Sequence, residues 1–129
     1  MPNNLRSRQI LWNGATTGAG GESSIANMNG MKYATIFIEV SAATTISLEV
    51  SPGLVGATNT PNTPGRNEVA GLTDANFYPL YEDDMSAPVA ITFAGAGKAA
   101  NDLSPAAYPY FRVASTNSVT ATVVVTGIN

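Results

Sequence analysis

Three adjacent carboxylates, Glu82-Asp83-Asp84, form the densest group of ionisable side chains in the chain. Hard oxygen ligands of this kind can take Ca²⁺ or Mg²⁺. Neighbouring residues of an extended segment point to opposite sides, so a full site needs Asp74, Asp102 or backbone carbonyls brought in by folding. The alternative is a solvated acidic turn. Glycoside hydrolysis needs two carboxyl groups facing each other about 5–10 Å apart; nine acidic residues are present, and none sits in a motif for that chemistry. The glycine-rich run at residues 14–21 has the amide density of an anion cradle. No Lys-Ser or Lys-Thr pair follows it and no helical periodicity begins there, so a turn between two strands accounts for it better. Tyr78, Tyr81, Tyr108 and Tyr110, together with Phe77, can form a platform for sugar rings or cap the open ends of a β-sandwich.

Composition removes most of the remaining catalytic repertoire. The 129 residues include no cysteine and no histidine, which excludes disulfides, thiolate ligands, thiol nucleophiles and the usual neutral-pH base. Serine triads and Cys-His pairs fall with them. No catalytic residue, cofactor or metal ion is assigned, and the chain reads as a binding or assembly protein, not an enzyme. Charged residues make up 12% of the sequence, about half the usual share, and the polar surface must be built mainly from Ser, Thr and Asn. A net charge of −3 with six scattered basic residues gives no electrostatic footprint for nucleic acid or an anionic membrane. No apolar run reaches the roughly 18–20 residues of a membrane-spanning helix, and Arg6 and Arg8 lack the apolar stretch of a secretory signal.

Period-two alternation marks the elements that must position these side chains. Residues 33–40 place Ile36, Ile38 and Val40 on one face, and residues 45–51 place Ile46, Leu48 and Val50 on one face. Only residues 41–44 separate the two, so a hairpin is the economical connection. Val89, Ile91 and Phe93 alternate with Ala90 and Thr92. Residues 110–115, with Phe111 and Val113 inward, lead through residues 116–118 to the Val/Thr-rich stretch 119–126, which suggests a second hairpin. Weaker strand candidates are residues 9–12, 22–28 and 76–81; Pro79 confines the last to an edge or bulge. Residues 52–67 and 95–109 read as long surface loops. Eight to nine short strands indicate one all-β domain over residues 1–129, an antiparallel sandwich of jelly-roll type. Residues 1–12 form either an N-terminal arm, offering Leu5, Arg6, Arg8 and Trp12 to a partner, or an ordinary first strand with Trp12 in the core. In the first case a chain lacking them stays folded.

The succession of the stretch 32–51, Phe77-Tyr78-Pro79-Leu80, Tyr108-Pro109-Tyr110-Phe111-Arg112-Val113 and the terminal Val/Thr strand ending at Gly127 resembles small β-sandwich decoration, or cement, proteins of tailed-phage capsids. It covers roughly residues 22–127. The departure is at residues 52–67, a long segment where many such proteins carry a short Ser-x-Asp-Gly turn and this chain has Ser51-Pro52-Gly53. The resemblance implies a protein of the virion's capsid surface that forms homotrimers and rivets the major capsid protein shell. Related sandwiches also serve as tail or baseplate components and as carbohydrate-binding or host-adhesion modules, for which Tyr78, Tyr81, Tyr108 and Tyr110 are the candidate residues.

Overall fold

The computed structural model describes residues 6–53, 71–105 and 107–129. Ten strands lie among them: β1 (Arg6–Thr16), β2 (Gly21–Glu22), β3 (Ala26–Asn27), β4 (Tyr33–Val40), β5 (Thr44–Ser51), β6 (Tyr78–Pro79), β7 (Ala90–Phe93), β8 (Gly97–Leu103), β9 (Tyr110–Ser115) and β10 (Thr120–Ile128). A short 3-10 turn at Asp74–Asn76 precedes β6. Two antiparallel sheets pack face to face, one ordered β1-β10-β4-β8 and the other β2-β9-β5-β6, with β3 also on β9 and β7 also on β5. The second sheet has broken edges: β2 and β3 occupy successive stretches along β9, and β6 and β7 do so along β5.

Counting each broken edge as one position leaves eight, and their pairing follows a nested rule. The first position pairs with the last (β1 with β10), the second with the seventh (β2/β3 with β9), the third with the sixth (β4 with β8), and the fourth with the fifth (β5 with β6/β7). This is a jelly roll. Its core lies between the sheets, where Ile36, Ile38 and Val40 of β4 and Val123 and Val125 of β10 meet Ile46 and Leu48 of β5 and Phe111 and Val113 of β9. Each such side chain taken out of water contributes roughly 1.5–3 kcal/mol.

Both expected hairpins are replaced by crossings between sheets. Strands β4 and β5 belong to different sheets, as do β9 and β10. Alternation requires only that Ile36, Ile38, Ile46 and Leu48 be buried, and an arch meets that demand by setting one strand over the other across the core. Side-chain hydroxyls and an amide then supply what hairpin ladders would have supplied. Thr44 Oγ1 lies 2.6 Å from Ser115 Oγ, the Asn117 amide N–H donates to Thr44 Oγ1 at 3.1 Å, and Asn117 Nδ2 donates to the Ala43 carbonyl at 3.1 Å. The two arches are thus tied to each other, and Thr17 Oγ1 joins them by donating to the Asn117 carbonyl at 3.0 Å.

Two further expectations change. The loop expected at residues 95–109 contains β8, whose Lys98-Ala99-Ala100-Asn101-Asp102 run is poor in strand-favouring types and is held by a seven-residue ladder on β4, from Ala34↔Leu103 to Val40↔Gly97. Of the other long loop, residues 54–67 lie outside the described residues. The free-arm reading of residues 1–12 also gives way over its described part. Strand β1 pairs with β10 from Arg6↔Ile128 to Thr16↔Thr120, and Leu11 and Trp12 are buried in the core. The ladder shifts between Ile10 and Trp12, a bulge that turns two consecutive side chains inward and erases the alternation by which the strand would have been read.

Candidate functional site

Large apolar side chains left in solvent mark the surfaces available for binding, and the first sheet carries four of them on its outer face: Ile10, Tyr33, Phe37 and Ile128. Register places the outward residues in rows across the strands. One row reads Ile10, Val124, Phe37, Ala100; the row on one side reads Arg8, Thr126, Thr35, Asp102, and on the other Asn13, Thr122, Glu39, Lys98. Beyond Arg8 come Arg6, Ile128 and Tyr33. Lys98 Nζ and Glu39 Oε2 pair at 3.1 Å, and Thr35 Oγ1 donates to Asp102 Oδ1 at 3.0 Å. A depression of about 430 Å³ opens over this face, lined by Phe37, Glu39, Lys98, Ala100, Thr122 and Val124 among others. Of the four residues expected to contact a partner, Arg6 and Arg8 stand exposed on this face, Leu5 lies outside the described residues, and Trp12 is corrected to a core residue that presents nothing to a partner.

A second surface gathers tyrosines. Tyr78, Tyr81 and Tyr108 line one open cleft of about 510 Å³ together with Pro52, Pro79 and Met85. The first two rings are exposed, as is Met85, whose φ of 60° lies in the left-handed region. Tyr108 is half-buried, set edge-on against Phe111 with ring centres 6.2 Å apart, and its hydroxyl accepts from the Ser104 amide at 3.0 Å. Tyr110, the fourth expected glycan-facing ring, is fully buried and is removed from that set. It occupies the start of β9, where Asn27 of β3 and Ser51 of β5 are its register partners on either side.

The remaining candidates resolve as structural features. The acidic run is a tight turn closed by the Tyr81↔Pro88 bridge and a Glu82 amide donated to the Ala87 carbonyl at 2.9 Å. Asp84 Oδ1 accepts from both the hydroxyl and the amide of Ser86, at 2.5 and 3.0 Å, and these bonds lower its pKa. No group of three or more acidic side chains is placed to hold a metal ion among the described residues. In the glycine-rich stretch, Gly18 and Gly20 take φ of 76° and 70°, and the Gly20 amide donates to the Ser115 carbonyl at 2.8 Å. The amides of Gly14, Thr17, Gly20 and Gly21 thus bond within the protein.

The side chain that composition did not single out is Arg112. It projects from β9 with Nε 2.7 Å from Glu49 Oε1 and Nη1 2.8 Å from Asp74 Oδ1, and Glu22 lies 3.9 Å from Nη2. The guanidinium sits over the Phe77 ring at 4.3 Å from its centre. Burial pulls its pKa down, but hydrogen bonds to Asp74 and Glu49 and the field of those two carboxylates outweigh that and leave it raised. The fork binds the returning segment, with the 3-10 turn and Phe77, to the outside of the second sheet. A single Arg inside an otherwise apolar strand, in a chain of six basic residues, was the signal for it.

Comparison with protein-family models, with curated proteins and with solved structures gives no match.

Proposed function

We propose that this jelly roll is a virion structural protein of the decoration class, a homo-oligomer that binds the outer surface of the major capsid protein shell and stabilises it without catalysis. The observation that supports this is the distribution of exposed apolar side chains into two groups on different sheets: Ile10, Tyr33, Phe37 and Ile128 on one, and Tyr78, Tyr81 and Met85 beside the cleft of the other. A homo-oligomer that rivets a shell must hold a second copy of itself and the shell at once, and affinity then accumulates over several modest contacts. Jelly rolls host many functions, and these surfaces and the sequence resemblance, not the fold, support this role. Purified protein is expected to add to undecorated capsids at micromolar concentration and raise their melting temperature. Failure to bind removes the proposal, and copy number by mass spectrometry of virions separates a shell component present in hundreds of copies from a tail or baseplate part present in few.

A second reading, a host-adhesion module, is favoured by one observation: three of the four tyrosines expected to face a glycan line the same cleft. Aromatic faces stack on the apolar faces of sugar rings, and the half-buried, hydrogen-bonded Tyr108 offers a fixed wall. On a glycan array the Tyr78→Ala/Tyr81→Ala variant is expected to lose at least ten-fold in any signal given by the parent protein. A parent that binds nothing on the array, or a variant that binds as well as the parent, ends this reading.

A further inference from the structure

We infer that the outer face of the β1-β10-β4-β8 sheet is a self-complementary surface on which a second copy of this chain docks about a two-fold axis. The inference goes beyond the shell-binding proposal and holds whatever the other partner is. Two sheets packed face to face keep their strands nearly aligned, and a two-fold contact brings one patch against itself. Place the axis in the contact plane, parallel to the strands and midway between β10 and β4. Strand β1 of one copy then lies over β8 of the other, β10 lies over β4, and each row faces itself reversed.

Three of the four rows match under that reversal, and the fourth sets Asn13 opposite Lys98 and Thr122 opposite Glu39, polar against polar. In the central row, Ile10 meets Ala100 and Val124 meets Phe37, a larger side chain against a smaller one both times. The depression of about 430 Å³ bordered by Ala100, Thr122 and Val124 is open to receive Ile10 of the other copy. In the next row Arg8 meets Asp102 and Thr126 meets Thr35, so one cation and one carboxylate face each other at both ends of the contact. Arg8 has no carboxylate partner among the described residues of its own chain. In the outermost row Ile128 meets Tyr33. Four strands about 4.8 Å apart and eight residues long at about 3.3 Å each give a footprint of about 500 Å² per copy. That is about 1,000 Å² in all, at the lower bound for a specific interface and fitting a reversible, micromolar pair. The unit is a pair, in place of the trimer implied by the sequence resemblance.

Sedimentation equilibrium of the full chain from about 1 to 200 µM tests this. The expected result is a monomer–dimer equilibrium. Arg8→Asp and Asp102→Arg each set like charges against each other twice per dimer and are expected to raise Kd at least ten-fold; the double variant restores the pairing reversed and returns Kd to within about three-fold of the parent. Ala100→Tyr, at an exposed strand position that favours such a residue, closes the depression and is expected to abolish the dimer, with thermal melts showing that the variant is folded. A parent that stays monomeric or forms trimers overturns the inference. So does a double variant no better than the single ones, or an Ala100→Tyr protein that dimerises as before.

Discussion

Replacing Trp12 with alanine is expected to destabilise the domain by about 3–5 kcal/mol, the range for removing a large aromatic side chain from a packed core. Trp12 lies in the cluster between the sheets with Leu11, Ile36, Ile38, Phe111 and Val123. Its neighbours are strand side chains fixed by their ladders, so the site cannot collapse onto the space left behind. Urea unfolding followed by tryptophan-independent far-UV circular dichroism measures the loss directly; the variant's transition is expected at much lower denaturant with an unchanged slope. Deleting residues 1–12 is the more severe case. It removes Leu11 and Trp12 together with most of the strand beside β10, and the product is expected not to fold. A truncated protein that retained a cooperative melt would return these residues to the role of an arm.

The second large effect is expected at Arg112. Arg112→Ala removes the charge that three carboxylates share, and the cost is set by how dry each pair is. Breaking a buried pair costs about 3–5 kcal/mol. Here the guanidinium is 10% exposed but its partner Asp74 is 81% exposed, and solvent takes over most of what Asp74 loses. Glu49, 24% exposed, keeps more of the penalty, and the Phe77 stack adds a further contribution. The expected total is about 2–3 kcal/mol, between the buried and the surface limits. Hydrogen exchange locates it: the amides of Asn76 and Phe77, which donate to Thr73 and Asp74 carbonyls, should lose protection first. Arg112→Lys keeps the charge but not the planar fork, so it is expected to recover less than half of the loss. The folded-state pKa of Arg112 is raised above its ordinary value, so its contribution is fully present below that ordinary value and is lost only as pH climbs through the folded value. Arg112 therefore imparts no pH dependence to stability between pH 4 and 9 by its own titration.

Strands with clean alternation were legible down to the residue. Ile36, Ile38 and Val40 point inward from β4 while Phe37 and Glu39 point out, as their spacing requires. What alternation does not carry is the identity of a strand's neighbour. Ile46 and Leu48 bury the same face whether β5 lies beside β4 or across from it, and the crossings are tied through Thr44, Ser115 and Asn117, small polar residues whose type does not announce that role. Strand β8 was illegible for a different reason: Ala99, Ala100 and Asn101 have little preference for a sheet, and β4 imposes the conformation on them. For the tyrosines, residue type pointed to a cleft, and Tyr78, Tyr81 and Tyr108 do converge. Tyr110 shares their type but is fully buried, and burial is set by what the fold lays over a side chain, which residue type does not record.

The nested pairing also fixes the order in which the protein can come into being. Strand β10 stands between β1 and β4, so the first sheet has no continuous middle until residues 120–128 have been synthesised. Strand β1, made first, waits for a partner more than a hundred residues downstream, its Leu11 and Trp12 without cover. Contacts of such separation form slowly, and emerging chains with exposed apolar strands are prone to pair wrongly with each other. A ribosome-stalled chain ending before residue 120 is thus expected to remain protease-sensitive along its whole length, the domain appearing at once when the last strand clears the exit tunnel.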